Sequence, residues 1–256
     1  FLFILSKKLA SGINSLVMDI KTGSGAFMQD LESAKKLGST IKTIASQVNV
    51  PTSTFITDMN EALGRNIGNS LEIIESIEYL QGKNIDKKLD YVIKHLATEM
   101  LLITNLYNNA TEAKIAINNV LNNGKAAEIF EKMVHTMGGS SNILTAYNKI
   151  LPKAPIIKPI FSKKAGFIKQ INAYNLGLCL VNLGGGRKVV SDKLDYSVGL
   201  SNVVKIGEYV DNHTPLAYVH AINNNDVEQI SKELQIIFDI TDDKNKCNKN
   251  PIIYSQ

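Results

Sequence analysis

The sequence predicts an α/β protein: a parallel-sheet large domain with crossover helices, then a small α/β carboxy-terminal domain with a hammerhead-like β module. Three observations predict it. In the first third of the chain two short runs read as strands, 15–21 and the β-branched 52–57, each followed by an amphipathic helical pattern. A long middle stretch carries helical patterns and no strand signal. Beyond Pro152, Pro155 and Pro159, short apolar runs alternate with glycines. With 256 residues, 44% of them hydrophobic, the chain can bury one large core or two smaller ones.

Residues 1–11 read as a helix stopped at Gly12, a residue suited to a helix end. Residues 15–21 read as a buried strand, and the turn Thr22-Gly23-Ser24-Gly25 follows. A helix starts near Asp30, with Leu31, Ala34, Leu37, Ile41, Ile44 and Val48 recurring at steps of three and four. Thr52 to Thr57 reads as a second strand, and Leu71, Ile74, Ile77 and Leu80 mark one side of the next helix. Strand, helix, strand, helix is the pattern of a parallel sheet with crossovers. Residues 86–150 read as helical, with Thr111 as an N-cap and breaks at Gly124 and Gly138.

The β module is read from Gly166-Phe-Ile, Leu176-Gly-Leu-Cys-Leu-Val, Gly184-Gly-Gly, Gly207-Glu-Tyr-Val and Leu216-Ala-Tyr-Val-His. Residues 207–220 look like the hammerhead turn of biotinyl or lipoyl domains, but no carrier-lysine motif accompanies them, which argues against a carrier role. A last helix spans about 226–240, and Asp242 to Asn250 reads as polar and loose.

Composition narrows the function. The net charge is +4, and basic residues are interspersed with acidic ones, so the basic stripe of a nucleic-acid-binding surface is absent. The opening Phe1-Leu2-Phe3-Ile4-Leu5 is too short for a membrane span and has its lysines on the wrong side for a signal peptide. It reads as a helix edge that packs on something upstream. Cys179 and Cys247, and the scattered His95, His135, His213 and His220, form no metal-ligand spacing. A cytoplasmic enzyme is expected, without nucleic-acid or membrane partners.

Two segments invite chemistry. Lys21-Thr-Gly-Ser-Gly-Ala-Phe27 lies between a strand and a helix, where backbone amides can meet an anion or polar ligand, although many such turns use glycine only to turn. Lys7 and Lys8 point about 100° apart on a helix, so one of them at most faces a pocket.

Read together, the segments become specific. Ser6-Lys-Lys-Leu-Ala-Ser-Gly12, Met18-Asp-Ile-Lys-Thr-Gly-Ser-Gly-Ala-Phe-Met28, Thr57-Asp-Met-Asn60, Gly68-Asn69, Asn123-Gly-Lys-Ala-Ala127, Gly184-Gly-Gly-Arg-Lys188 and Asp195-Tyr-Ser-Val-Gly199 occur in this order. The series resembles the thymidine and pyrimidine-nucleoside phosphorylases over residues 4–240. The resemblance implies an incomplete large domain and four regions: 1–12, a remnant of a small helical domain; 13–151, the partial phosphorylase α/β domain; 152–241, the carboxy-terminal domain; and 242–256, the tail.

The resemblance implies phosphorolysis: thymidine and phosphate give thymine and 2-deoxyribose 1-phosphate. The glycosidic bond breaks with negative charge growing on the departing base, and a cation near the base oxygens stabilises that charge. The family's lysine for this role matches Lys7, and its base-lining aromatic matches Phe27. Phe3 stands where the family commonly has a base-binding serine, a substitution that puts base recognition in question. No cofactor is expected beyond a potassium ion, which some members hold at positions matching Leu63, Asn66 and Glu75; Glu75 reads equally well as an exposed helix residue. The family's phosphate loop and base-contacting arginine have no counterpart in these residues, so the chain is expected to be inactive alone. Its partners would be the nucleoside, phosphate and a second copy in a homodimer. The rival reading is a non-catalytic remnant or interaction module. A phosphoribosyltransferase relative is the weaker rival, because Asp58-Met-Asn60 is no acidic metal-diphosphate motif.

Overall fold

The computed structural model describes residues 2–254, with side chains from Leu5 onward. The first half of the chain contains α1 (Leu2–Ala10), β1 (Leu16–Thr22), α2 (Leu31–Gln47), β2 (Thr52–Asp58), α3 (Asn69–Leu80), α4 (Lys87–Ile103), α5 (Ala110–Asn122) and α6 (Lys125–Thr136). Next come α7 (Ile143–Ile150), β3 (Ile156–Ile160), β4 (Gly166–Ile171), α8 (Ala173–Asn182), β5 (Gly199–Ser201), β6 (Tyr209–Val210) and β7 (Ala217–Ala221). The chain closes with α9 (Asn224–Ile237), β8 (Phe238–Thr241), a 3-10 turn at Lys244–Lys246 and β9 (Ile253–Tyr254).

These elements gather into two compact units. The first is drawn from the described residues of Phe1–Met59, Lys87–Asn123 and Asn250–Gln256, the second from Asn60–Asp86 and Gly124–Lys249. This division differs from the boundaries expected at 13–151 and 152–241. The segment 60–86 leaves β2 and packs within the carboxy-terminal unit, because its backbone bonds there, as described below.

In the first unit β1 and β2 run parallel, from Leu16 opposite Thr52 to Thr22 opposite Asp58, with α2 as the crossover. The α2 start is fixed by the Asp30 carboxylate, which accepts the Ser33 N–H at 2.8 Å and satisfies an otherwise orphaned donor. Ala34, Gly38, Ile41 and Ala45 form its buried face, at helical steps. Gly38 lets helix and sheet approach: a Cβ there would stand 3.0 Å from Thr54 Oγ1. Leu5 of α1, only 1% exposed, joins Ile20, Ile41 and Ile56 in this core. The chain therefore buries Leu5 of its apolar opening against its own sheet and helix, where packing on something upstream was expected.

The end of the chain, beyond the polar stretch 242–250, adds a strand. Ile252 accepts the Asp58 N–H at 3.0 Å, and β9 pairs antiparallel with β2, Tyr254 opposite Ile56. An apolar Ile-Ile-Tyr closes the polar stretch and completes a three-stranded sheet in the order β1-β2-β9. The sheet is thus mixed, with one parallel pair.

The second unit contains two antiparallel sheets, in the orders β3-β7-β5 and β6-β4-β8. Their core includes Ile168, Leu176, Leu200, Leu216, Ile230 and Leu234. The run Leu176-Gly-Leu-Cys-Leu-Val, expected to belong to the β module, lies in α8. The Asn172 side chain caps that helix by accepting the Asn175 N–H at 3.0 Å, which starts a helix that the apolar run alone could not distinguish from a strand. Likewise Asn109, not Thr111, caps α5, accepting the Glu112 N–H at 2.9 Å. Among the described residues no helix is long and apolar enough to cross a membrane.

Candidate functional site

The first unit has a cleft of about 620 Å³ lined by residues of β1 and α2 and of the turns that follow the two parallel strands: Met18, Asp19, Ile20, Lys21, Gly25, Ala26, Phe27, Met28, Leu37, Ile41 and Met59. Ligand crevices of open α/β sheets form outside the carboxyl ends of strands, where side chains and turns converge. Asp19 and Lys21 are two apart on β1 and so share one face. Lys21 Nζ donates to Asp19 Oδ2 at 2.6 Å and to Thr57 Oγ1 at 2.9 Å, and Thr57 Oγ1 donates to Asp19 Oδ1 at 2.5 Å. This closed ring of three polar groups stands beside otherwise apolar walls. Sequence reasoning quoted these residues within motifs without giving them a role; the i, i+2 spacing of opposite charges on β1 was the available signal.

The glycine turn after β1 is fixed from inside. Gly25 N–H donates to Met59 O at 2.9 Å, Ala26 N–H to Gly23 O at 3.0 Å, and Met59 N–H to Thr22 O at 2.7 Å. The Gly25 and Ala26 amides are thereby committed to the protein and unavailable to an anion. Phe27, at the end of the turn, is 96% exposed at the cleft. Exposing a whole phenylalanine forgoes its burial energy, about 1.5–3 kcal/mol. In the same unit, Asp58 and Lys88 form a nearly buried ion pair at 2.9 Å that ties α4 to β2, and the Tyr254 hydroxyl bonds the same carboxylate.

Lys7 lies on the exposed side of α1, about 200° around the helix from buried Leu5. Lys8 is half-buried. Lys7 is not among the residues lining the cleft. The Phe3 side chain lies outside the described residues.

The remaining expected residues, Leu63, Asn66 and Glu75, lie in the second unit. Glu75 of α3 folds back on the preceding loop, and its Oε1 accepts the Arg65 N–H at 2.6 Å. Burial pushes the Glu75 pKa up, against the lowering effect of the Arg65 and Asn66 amides and of the Lys205 charge. Asn66 is occupied through its side chain, which donates to Leu71 O at 3.2 Å and accepts the Asn202 N–H at 3.3 Å. The Leu63 carbonyl accepts a hydrogen bond from Lys205 Nζ at 3.0 Å; that ammonium also bonds the carbonyls of Ala62 and, at 2.6 Å, Gly64. Lys205 is 8% exposed. Sequence reasoning missed it, although a single lysine inside Val203-Val204-Lys205-Ile206 signals a buried cation that needs a partner.

Around this knot Arg65 grips Glu208 with both terminal nitrogens, at 3.1 and 2.5 Å, and Asp86 with Nε at 3.2 Å. The Glu208 fork raises the Arg65 pKa against burial. Burial works against Glu208 ionisation too, but the Arg65 fork and the Lys205 amide outweigh it and lower its pKa.

Three of the quoted motifs meet in the same unit. Asn69 Nδ2 donates to Gly185 O at 3.2 Å, Ser70 N–H to Tyr196 O at 3.1 Å, and Ile67 and Leu200 exchange backbone bonds at 2.8 Å each. Gly68 and Gly199 pass backbone to backbone: a Cβ on Gly199 would stand 2.1 Å from Ile67 O. These motif residues dock 60–86 on the carboxy-terminal strands, so their role is architectural. No three His, Cys, Asp or Glu among the described residues gather as a metal cluster.

Comparison with known families agrees with this architecture. The chain matches the family described as "Glycosyl transferase family, a/b domain" over residues 1–127. Over residues 167–241 it matches the "Pyrimidine nucleoside phosphorylase C-terminal domain". Fold and matches together define a glycosyltransferase-class α/β protein of the pentosyl-transferring kind. The chain belongs to the thymidine/pyrimidine-nucleoside phosphorylase family.

Proposed function

We propose that this chain supplies the base side of a pyrimidine-nucleoside phosphorolysis site; Lys7, outside the lining of the Phe27 cleft, is proposed on the family resemblance alone as the cation that stabilises negative charge on the departing pyrimidine. The observation that carries the reading is Phe27, 96% exposed beside a mostly apolar cleft whose lining includes Asp19 and Lys21, both tied to buried Thr57. A flat, mostly apolar base with a few polar edges suits such a cleft, where apolar walls supply affinity and a few polar groups fix orientation. An exposed aromatic next to it regains its burial energy when a ring stacks on it.

The partners under this reading are thymidine or a related pyrimidine nucleoside, phosphate, and a second copy of the chain. Phe3 at the family's serine position removes one hydrogen bond to the base, worth about 0.5–1.5 kcal/mol, and weakens base binding accordingly. The Gly25 and Ala26 amides are spent internally, so the turn serves the base and not phosphate; residues 1–256 alone then fall short of catalysis. Saturation-transfer NMR of residues 1–256 with thymine tests the site. Transfer to the thymine methyl in the parent chain, lost in Phe27→Ala, is expected. Absence of transfer in the parent chain, or equal transfer in both, would overturn the assignment.

A further inference from the structure

We propose that Lys205 is a built-in monovalent cation, holding the loop after β2 in place of a potassium ion. The inference goes beyond the phosphorolysis reading and does not depend on it. The loop presents the carbonyls of Ala62, Leu63 and Gly64 to one point, and the Lys205 ammonium sits there. A lysine ammonium has three donors and no acceptor, so three carbonyls satisfy it completely. The Glu75 carboxylate supplies the countercharge, and a Cβ on Gly64 would stand 2.1 Å from Glu75 Oε2, so loop and carboxylate are in contact.

A potassium ion bound through Leu63 would compete for the same carbonyl oxygen and the same countercharge. The other expected donors are committed as well, with Glu75 Oε1 on the Arg65 amide and the Asn66 side chain bridging Leu71 and Asn202. Two cations within contact distance repel strongly where little water intervenes. The donor set therefore fits one cation, and the chain supplies it covalently. A tethered cation has another consequence: Lys205 lies on the carboxy-terminal strand module, so the Ala62–Gly64 loop is tied to that module whatever the ionic composition of the medium.

The test is thermal unfolding of residues 1–256 and of Lys205→Met in choline chloride, sodium chloride and potassium chloride at equal ionic strength. The parent midpoint should be the same in all three salts. Lys205→Met should melt lower in choline and regain at least about 3 °C, saturably, on addition of potassium. Lys205→Gln, which keeps length and a polar head but no charge, replaces it if Lys205→Met does not fold. A saturable, potassium-specific rise in the parent chain would overturn the proposal, since the cage would then bind the ion with the lysine present. Failure of potassium to raise the midpoint of the folded neutral variant would overturn it too, because the carbonyls would then form no cation site.

Discussion

The Asp58 carboxylate and the Lys88 ammonium meet at 2.9 Å with side chains only 4% and 10% exposed. Asp58 ends β2 and Lys88 lies in the first turn of α4, so this pair joins the sheet to the helix that re-enters the first unit after residues 60–86. Removing one partner leaves a buried charge uncompensated. Lys88→Met should cost about 3–5 kcal/mol of stability, and the double variant Lys88→Met with Asp58→Asn should recover part of it. Urea midpoints of the single and double variants measure this. A Lys88→Met loss under about 1 kcal/mol, as for surface pairs, would contradict it.

Gly199 has φ +153 and its backbone passes Ile67 O, where a Cβ would stand 2.1 Å away. Gly199→Ala should destabilise by about 2–4 kcal/mol, from steric overlap and a backbone angle that alanine avoids. Gly177, inside α8 with nothing within 4 Å of a Cβ, is the control. Gly177→Ala should stabilise by about 0.5–1 kcal/mol. Equal effects in chemical denaturation would show that 60–86 does not dock through Gly199.

His220 bonds Ser201 Oγ at 2.8 Å through Nε2, and burial lowers its pKa from the ordinary 6.5. The unfolded chain therefore takes up a proton near pH 6.5 that the folded chain resists. Stability from this group is full above that pH and declines as the pH falls below it, levelling off below the folded pKa. Between about pH 7.5 and 5.5 the parent chain should lose more stability than His220→Gln. Parallel urea midpoints in the two proteins would contradict the shift.

Lys7 and Lys8 separate by function. In a chimera where an intact phosphorylase of this family supplies the phosphate-binding segments, Lys7→Ala should lower kcat by about 10²-fold or more. Lys8→Ala should change it little, because its head group lies about 100° around α1. Equal kcat in the two variants would remove Lys7 from the site.

Much of the fold was legible because period and capping agree along one stretch of chain. Asp30 followed by apolar residues at helical steps marks α2, and β-branched residues mark β1 and β2. What stayed hidden was long-range. Nothing local in Ile252-Ile253-Tyr254 announces that it pairs with β2, since an edge strand of two residues has no period to read. Nor does local pattern tell that 60–86 leaves the first unit for the second. That docking is encoded in close backbone approach at Gly68 and Gly199, which the motifs recorded without explaining. In the candidate site, Phe27 was legible through its motif, whereas the Asp19-Lys21-Thr57 ring needed the β1–β2 register and the Lys205 cage needed residues about 140 positions apart.

Under the proposed function these residues provide the base side of phosphorolysis and not phosphate positioning, which supplies much of the barrier reduction in such transfers. The direct measurement is thymine release from thymidine by purified, folded residues 1–256, with and without phosphate. No phosphate-dependent release is expected. Phosphate-dependent release at a rate near that of an intact phosphorylase would contradict it and place a working phosphate site within this chain.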